Sequence, residues 1–213
     1  MTAQRPRRTQ EERTAHTRLA LIEASIAAIQ QHGYGGATTA IIAQQAGVTR
    51  GALLHHFGTR ARLMADVVRH VFEREMHEYE SARRNTGLGD RLHDWPKLLW
   101  AVLGQPSGLA VLEILQATRS DAELAEVVVP MQEQVERAAL ASMRAAFGGD
   151  EGGALAVMRL MVWTARGMSI GDKFLPNREA SDRAIDLLSD LLRHAAPSGT
   201  LTELDQALDR QPA

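Results

Sequence analysis

Apolar positions along this chain recur at helical spacing. Leu19, Ile22, Ile26 and Ile29 fall at i, i+3, i+7 and i+10, one face of an amphipathic helix over residues 18–32 that should end near His32-Gly33. Ile42, Ala43 and Ala46 mark a short helix, and Val48, Leu53 and Phe57 a second, with Leu53 and Phe57 four apart on one face. Leu63, Met64, Val67 and Val71 begin a longer stripe over residues 59–83, and Glu75 stands in line with them. Gly87 and Gly89 break the pattern within residues 85–90 and mark a domain boundary. Beyond it the periodicity predicts helices over 91–103, 109–119, 121–147, 154–170 and 181–195, with Pro130 kinking or restarting the third of these. Pro197-Ser198-Gly199 should close the compact part and leave 198–213 as a polar tail. No strand alternation and no repeat interrupts this pattern. The fold class is all-α, three N-terminal helices followed by a larger helical domain, about nine helices in all.

Residues 38–60 are the most specific stretch. Gly47, free to take positive φ, can end one short helix abruptly before the next begins. Thr38 or Thr39 can cap the first helix, and Thr49 the second. Two short helices across a tight turn, with a third starting behind them, form a helix-turn-helix, which presents a helix end to the major groove of DNA. The outward positions Thr38, Thr39, Thr49, Arg50, His55, His56 and Arg60 hold donors and no carboxylate. A hairpin that merely packs would carry a solvated face of both signs. Charge along the chain agrees. The net charge is only −2, yet residues 1–70 hold nine Arg against four acids, and the remainder carries a balance of −7. A basic first third on an acidic body suits one part meeting phosphate and the other not.

The segment, with the helix before it, resembles the DNA-binding domain of the TetR family of bacterial transcriptional regulators over about the first seventy residues. The markers are Gly33-Tyr34, Thr38-Thr39, Ile42-Ala43, Ala46-Gly47-Val48, Gly51, Leu53, His55-His56-Phe57 and Arg60 to Leu63. The resemblance implies DNA-backbone contacts from Thr39, His55, His56 and Arg60, and base-edge or groove contacts from Thr49, Arg50 and Ala52. Thr38, Gly51 and Leu54 complete the expected DNA-facing set. Ala52 stands where the family often has Thr and Leu54 where it usually has Tyr, so thymine methyl contact or simple packing replaces a hydroxyl there. Arg5, Arg7 and Arg8 give residues 1–17 the composition of a flexible basic arm. The reading head is then 18–70, and 84–197 an effector-binding and dimerisation domain.

The last two long helices are apolar over a wide arc. Leu155 and Val162 line one, and Ala184, Ile185, Leu188, Leu191 and Leu192 the other. Such width exceeds what one neighbour covers and asks for a partner. The resemblance implies the same, a homodimer joined through a four-helix bundle, whose twofold axis suits a near-palindromic operator. A small apolar or amphipathic effector is expected among Trp95, Leu99, Trp100, Leu112, Met131, Met158, Met161 and Trp163, with Gln116, Arg119 or Arg166 orienting a polar group on it. The expected function is a ligand-responsive transcriptional regulator, a repressor released from its operator by the effector. A ligand-independent DNA-binding protein is the nearer alternative.

Gly167-Met168-Ser169-Ile170-Gly171 matches the G-x-S-x-G pattern of serine hydrolases, with Asp172 or Asp182 and His194 following in order. The pattern needs a strand entering a strained turn, and here the serine follows a helix, so no catalytic residue is assigned. Metal and cofactor are not expected either. His55 and His56 are adjacent, and His70 and His77 lie two turns apart, too far to chelate one ion. The chain has no cysteine, which fits a reducing cytoplasm. Met1 to Arg13 is polar and Arg-rich with no apolar run behind it, unlike a secretory signal, and no stretch reaches a membrane span.

Overall fold

The computed structural model describes residues 9–209, and among them the chain is all-α. Arg5, Arg7 and Arg8 of the expected arm lie outside the described residues, as does the tail beyond Asp209. Helix α1 spans Gln10–Gly36. It begins well before residue 18, so residues 10–17 are helix and not arm. Thr9 and Glu12 form a capping box that starts it there: Glu12 N–H donates to Thr9 Oγ1 at 3.2 Å, and Thr9 N–H to Glu12 Oε2 at 2.8 Å. Gly33, at φ 71°, interrupts the helix at the position its periodicity indicates.

Helices α2 (Thr39–Gln45), α3 (Arg50–Phe57) and α4 (Arg60–Thr86) follow, each capped by the threonine before it. Gly47 takes φ 68° in the turn between α2 and α3. Open space surrounds its Cβ position, so positive φ alone is what calls for glycine there. α4 ends at Gly87 in the left-handed region. A 3-10 turn, Leu92–Asp94, leads into α5 (Trp95–Leu103). α6 (Pro106–Ala117) starts earlier than its apolar pattern suggests, because Pro106 occupies a first-turn position that needs no N–H.

α7 (Ala122–Phe147), capped by Asp121, runs through Pro130 as one helix, where the sequence predicted a kink or restart. Pro130 and Glu126 are exposed, so the carbonyl the proline leaves free is open to hydration. α8 (Glu151–Phe174) and α9 (Arg178–Ala195) are longer than their apolar stretches, extended by caps at Asp150 and Asn177. α10 (Leu201–Asp209) corrects the polar-tail expectation and raises the count among the described residues from about nine to ten. Leu201 is fully buried and Leu204 5% exposed, so this segment belongs to the core.

Two apolar cores organise the chain, and they do not divide where the sequence breaks. The first joins α1 to α3 and the start of α4 with Ala110, Val111 and Ile114 of α6 and Leu124 and Val128 of α7. The second gathers the end of α4, α5, the later part of α7, α8, α9 and α10. α4 therefore crosses from one core to the other between Val71 and Tyr79.

Candidate nucleic-acid interface and effector-domain interior

The α2–α3 corner is built on its two threonine caps. Thr38 Oγ1 accepts from Ile41 N–H at 3.3 Å, and Thr49 Oγ1 from Ala52 N–H at 3.1 Å. Ile42, Ala43, Leu53 and Phe57 turn inward. Thr38, Thr49, Arg50, Gly51, Leu54 and His55 are left exposed, with Thr39, Ala52 and His56 half-buried beside them. Arg50 Nε donates to Thr39 Oγ1 at 3.1 Å, which holds the guanidinium across the mouth of the corner. Leu54 points outward and is 36% exposed, so it does not close the head's core.

Arg18 fastens the far end of α3. Its Nη1 donates to His56 O at 2.5 Å, its guanidinium lies 4.3 Å from the centre of the Phe57 ring, and it pairs with Asp66 on α4. Burial, with His55 and Arg18 adding positive charge nearby, lowers the pKa of His56 and favours its neutral form. An open cleft of about 380 Å³ runs beside it between α1 and α3, lined by Gln10, Arg13, Thr14, Thr17, Arg18 and the two histidines. The sequence reading missed the α1 side of this cleft by treating residues 10–17 as arm. The Thr9-x-x-Glu12 spacing was the signal for it.

Arg60 needs a correction. It was expected on the DNA backbone, but its guanidinium is engaged inside the protein. Nε donates to Ala37 O at 3.2 Å, Nη2 donates to Tyr34 O, and the group stacks 4.0 Å from the centre of the Tyr34 ring. It closes the free carbonyls at the end of α1. Tyr34 in turn reaches the second part of the chain. Its N–H donates to Glu113 Oε2 at 2.7 Å and its hydroxyl to Asp121 Oδ2 at 3.2 Å.

The expected effector residues divide among several places. Leu99, Trp100, Met158 and Met161 are buried in the second core with Trp95 at its edge, whereas Met131 packs on the first. Leu112 is buried on α6. Trp100 Nε1 donates to Asp182 Oδ1 at 2.6 Å and Arg178 covers its ring, so this tryptophan braces α5 against α9. Gln116 and Arg119 are exposed at the end of α6 and Trp163 is 53% exposed, so none of the three reaches the interior. Arg166 does, buried with Glu75 of α4 at 4.0 Å, Nη2 to Oε2. Burial pushes the Glu75 carboxyl up to about 7, against the pull of Arg166.

Residues 21–67 match the family model of bacterial regulatory proteins, tetR family. The chain belongs to the TetR family. It is 28% identical over 194 residues to an uncharacterized HTH-type transcriptional regulator of Mycobacterium tuberculosis, covering 87% of this chain and 97% of that one. Its fold is similar to a transcriptional regulator from Rhodococcus sp. Rha1, at a TM-score of 0.65 and 18% identity over 83% of this chain and 96% of that one. It is also similar to the multidrug binding protein EbrR complexed with imidazole, at a TM-score of 0.57 and 22% identity over 82% and 93%.

For a TetR-family chain, the outward face of α8 and α9 is the part to compare with the expected dimer surface. Ile185 and Leu192 are buried within the chain at 2% and 6% exposure, a correction to their placement on the dimer face. Leu155, Val162, Ala184 and Leu188 are half-buried. The open apolar face consists of Leu191 together with Leu160, Trp163 and Leu187, each more than half exposed. Ser169 of the hydrolase match is buried in the body of α8, where its hydroxyl donates to Arg166 O at 2.8 Å. No nucleophile elbow forms there.

Proposed function

We propose that this TetR-family regulator is a homodimeric repressor. A small apolar or amphipathic effector entering the C-terminal domain would release it from a near-palindromic operator. The observation that carries this reading is the shared first core. α6, the start of α7 and half of α4 pack directly on the head, so any shift of these helices moves the reading surface. The exposed Leu160, Trp163, Leu187 and Leu191 support a second copy seated on α8 and α9. EbrR, described as multidrug binding, supports a promiscuous apolar effector.

In this reading Arg50, with Thr49 and Ala52, meets base edges. Thr38, Thr39, His55 and His56 meet phosphate, and the cleft beside α1 extends that contact through Arg13. Among the described residues no single helix is long and apolar enough to cross a membrane, and work on DNA assigns the protein to the cytoplasm. The test is a fluorescence-anisotropy titration of the purified protein against the DNA upstream of its own coding sequence, at low salt. Saturable binding by two protomers per site is expected, and its absence would remove the reading. Operator affinity unmoved by any compound in a thermal-shift screen would favour a ligand-independent DNA binder.

A further inference from the structure

α4 and α8 bring opposite charges into the apolar interior of the effector domain. Glu75 is 5% exposed and Arg166 9%, yet their closest polar atoms stand 4.0 Å apart, beyond hydrogen-bond distance. Glu75 Oε1 and Arg166 Nη1 are both buried without a protein partner. Gly108 of α6 lies opposite Glu75: a Cβ added there would sit 3.7 Å from Oε1 and 2.6 Å from Leu103 O. Close packing at the α5–α6 corner thus excludes a side chain that would cover the carboxylate. Tyr79 lies one turn further along α4 with its ring against Trp95, and Met76, Met158, Met161 and Met168 belong to the same core. A buried pair that leaves a donor and an acceptor open costs stability, and an apolar replacement of equal volume does not. Its retention in the interior asks for something that closes both groups.

We propose that Glu75 and Arg166 are the polar anchor of the effector site, taking an apolar molecule with an uncharged head that offers a donor to Glu75 and an acceptor to Arg166, as a carboxamide or lactam does. This deepens, and rests on, the effector reading above. The two side-chain charges cancel each other, so an ionised head would bring an unbalanced third charge into a water-excluded site. A head with only a donor or only an acceptor would leave one partner open. Glu75 also lies on the helix that enters the head's core at Val71, so a ligand drawing on this carboxylate acts on the element that carries the reading surface.

The test uses the full-length protein and three probes of one chain length: octanamide, octanoate and octylamine. Binding is followed by tryptophan fluorescence, and operator release by anisotropy. Octanamide should bind about ten-fold more tightly than either charged probe, the value of one charge-assisted hydrogen bond. The double variant Glu75→Leu/Arg166→Met should bind all three probes within about three-fold of one another, since only apolar contact remains. Glu75→Gln keeps the shape and leaves Arg166 unbalanced, so octanoate should overtake octanamide. If the probes bind the wild type without the amide preference, or the double variant or Glu75→Gln keeps it, the anchor is wrong and the effector reading stands. If none of the probes binds the wild type, both fall.

Discussion

Replacing Arg60 with Met separates two accounts of the same residue. If the guanidinium met phosphate, its loss would reduce the salt dependence of operator binding by about 0.9 per protomer, or about 1.8 for a dimer. The geometry gives it a different task. Two hydrogen bonds from a charged donor close Tyr34 O and Ala37 O, and the group stacks on the Tyr34 ring at 4.0 Å. Arg60 is half-buried, so each hydrogen bond is valued near the low end of the charged range, about 1.5 kcal/mol, and the stack adds about 0.5 kcal/mol. Met keeps most of the packing, so Arg60→Met should cost about 3 kcal/mol. At about 2–4 °C per kcal/mol for a chain of this size, the melting temperature should fall by about 6–12 °C. The assay pairs a thermal melt with operator titrations across a salt series, run well below the melt. The expected result is a lowered Tm with an unchanged slope of log affinity against log salt. A slope reduced by about 1.8 with Tm unmoved would refute the reasoning.

Arg50→Ala should cost about 1–3 kcal/mol of operator affinity while changing binding to unrelated DNA far less, as competition titrations would reveal. Trp163→Glu combined with Leu187→Glu places charge on the open face of α8 and α9. Light scattering should then find monomers, and a stable dimer would exclude that face. Stability should also fall with rising pH through one defined window. Glu75 titrates near 7 in the folded chain and near 4.5 when unfolded, so the folded state holds the extra proton between those values. Unfolding free energy should therefore drop by about 3 kcal/mol from pH 4.5 to 7 and then level off, relative to Glu75→Gln, whose curve lacks this component. A difference that rises with pH would contradict the sign.

The helices and the turn were legible because each is punctuated locally. Gly33, Gly47 and the threonine caps act within a few residues, and helical period supplies the rest. Partner choice was not local, and the reading failed there. α9 carries two apolar stripes. The one that turns inward contains Ser181 and Ser189 with Ile185 and Leu192, and its small polar members obscured it beside the all-leucine pair Leu187 and Leu191. Arg60 was misplaced for a similar reason. An arginine beside a DNA-reading corner has the same composition whether it faces phosphate or closes a helix end, and only the position of Tyr34 decides. Glu75, by contrast, was visible from the start as a carboxylate standing in an apolar stripe.

The first core sets a limit on how this protein can be taken apart. Residues 18–70 look like a portable head, but Leu21, Ala28 and Ile29 share a buried cluster with Ala110, Ile114, Leu124 and Val128, more than seventy positions away. Cutting after α4 would strip that cover and expose apolar surface on α1. A functional chimera between relatives would have to carry α6 and the opening turns of α7 along with the head. The transplantable unit is therefore discontinuous in the chain.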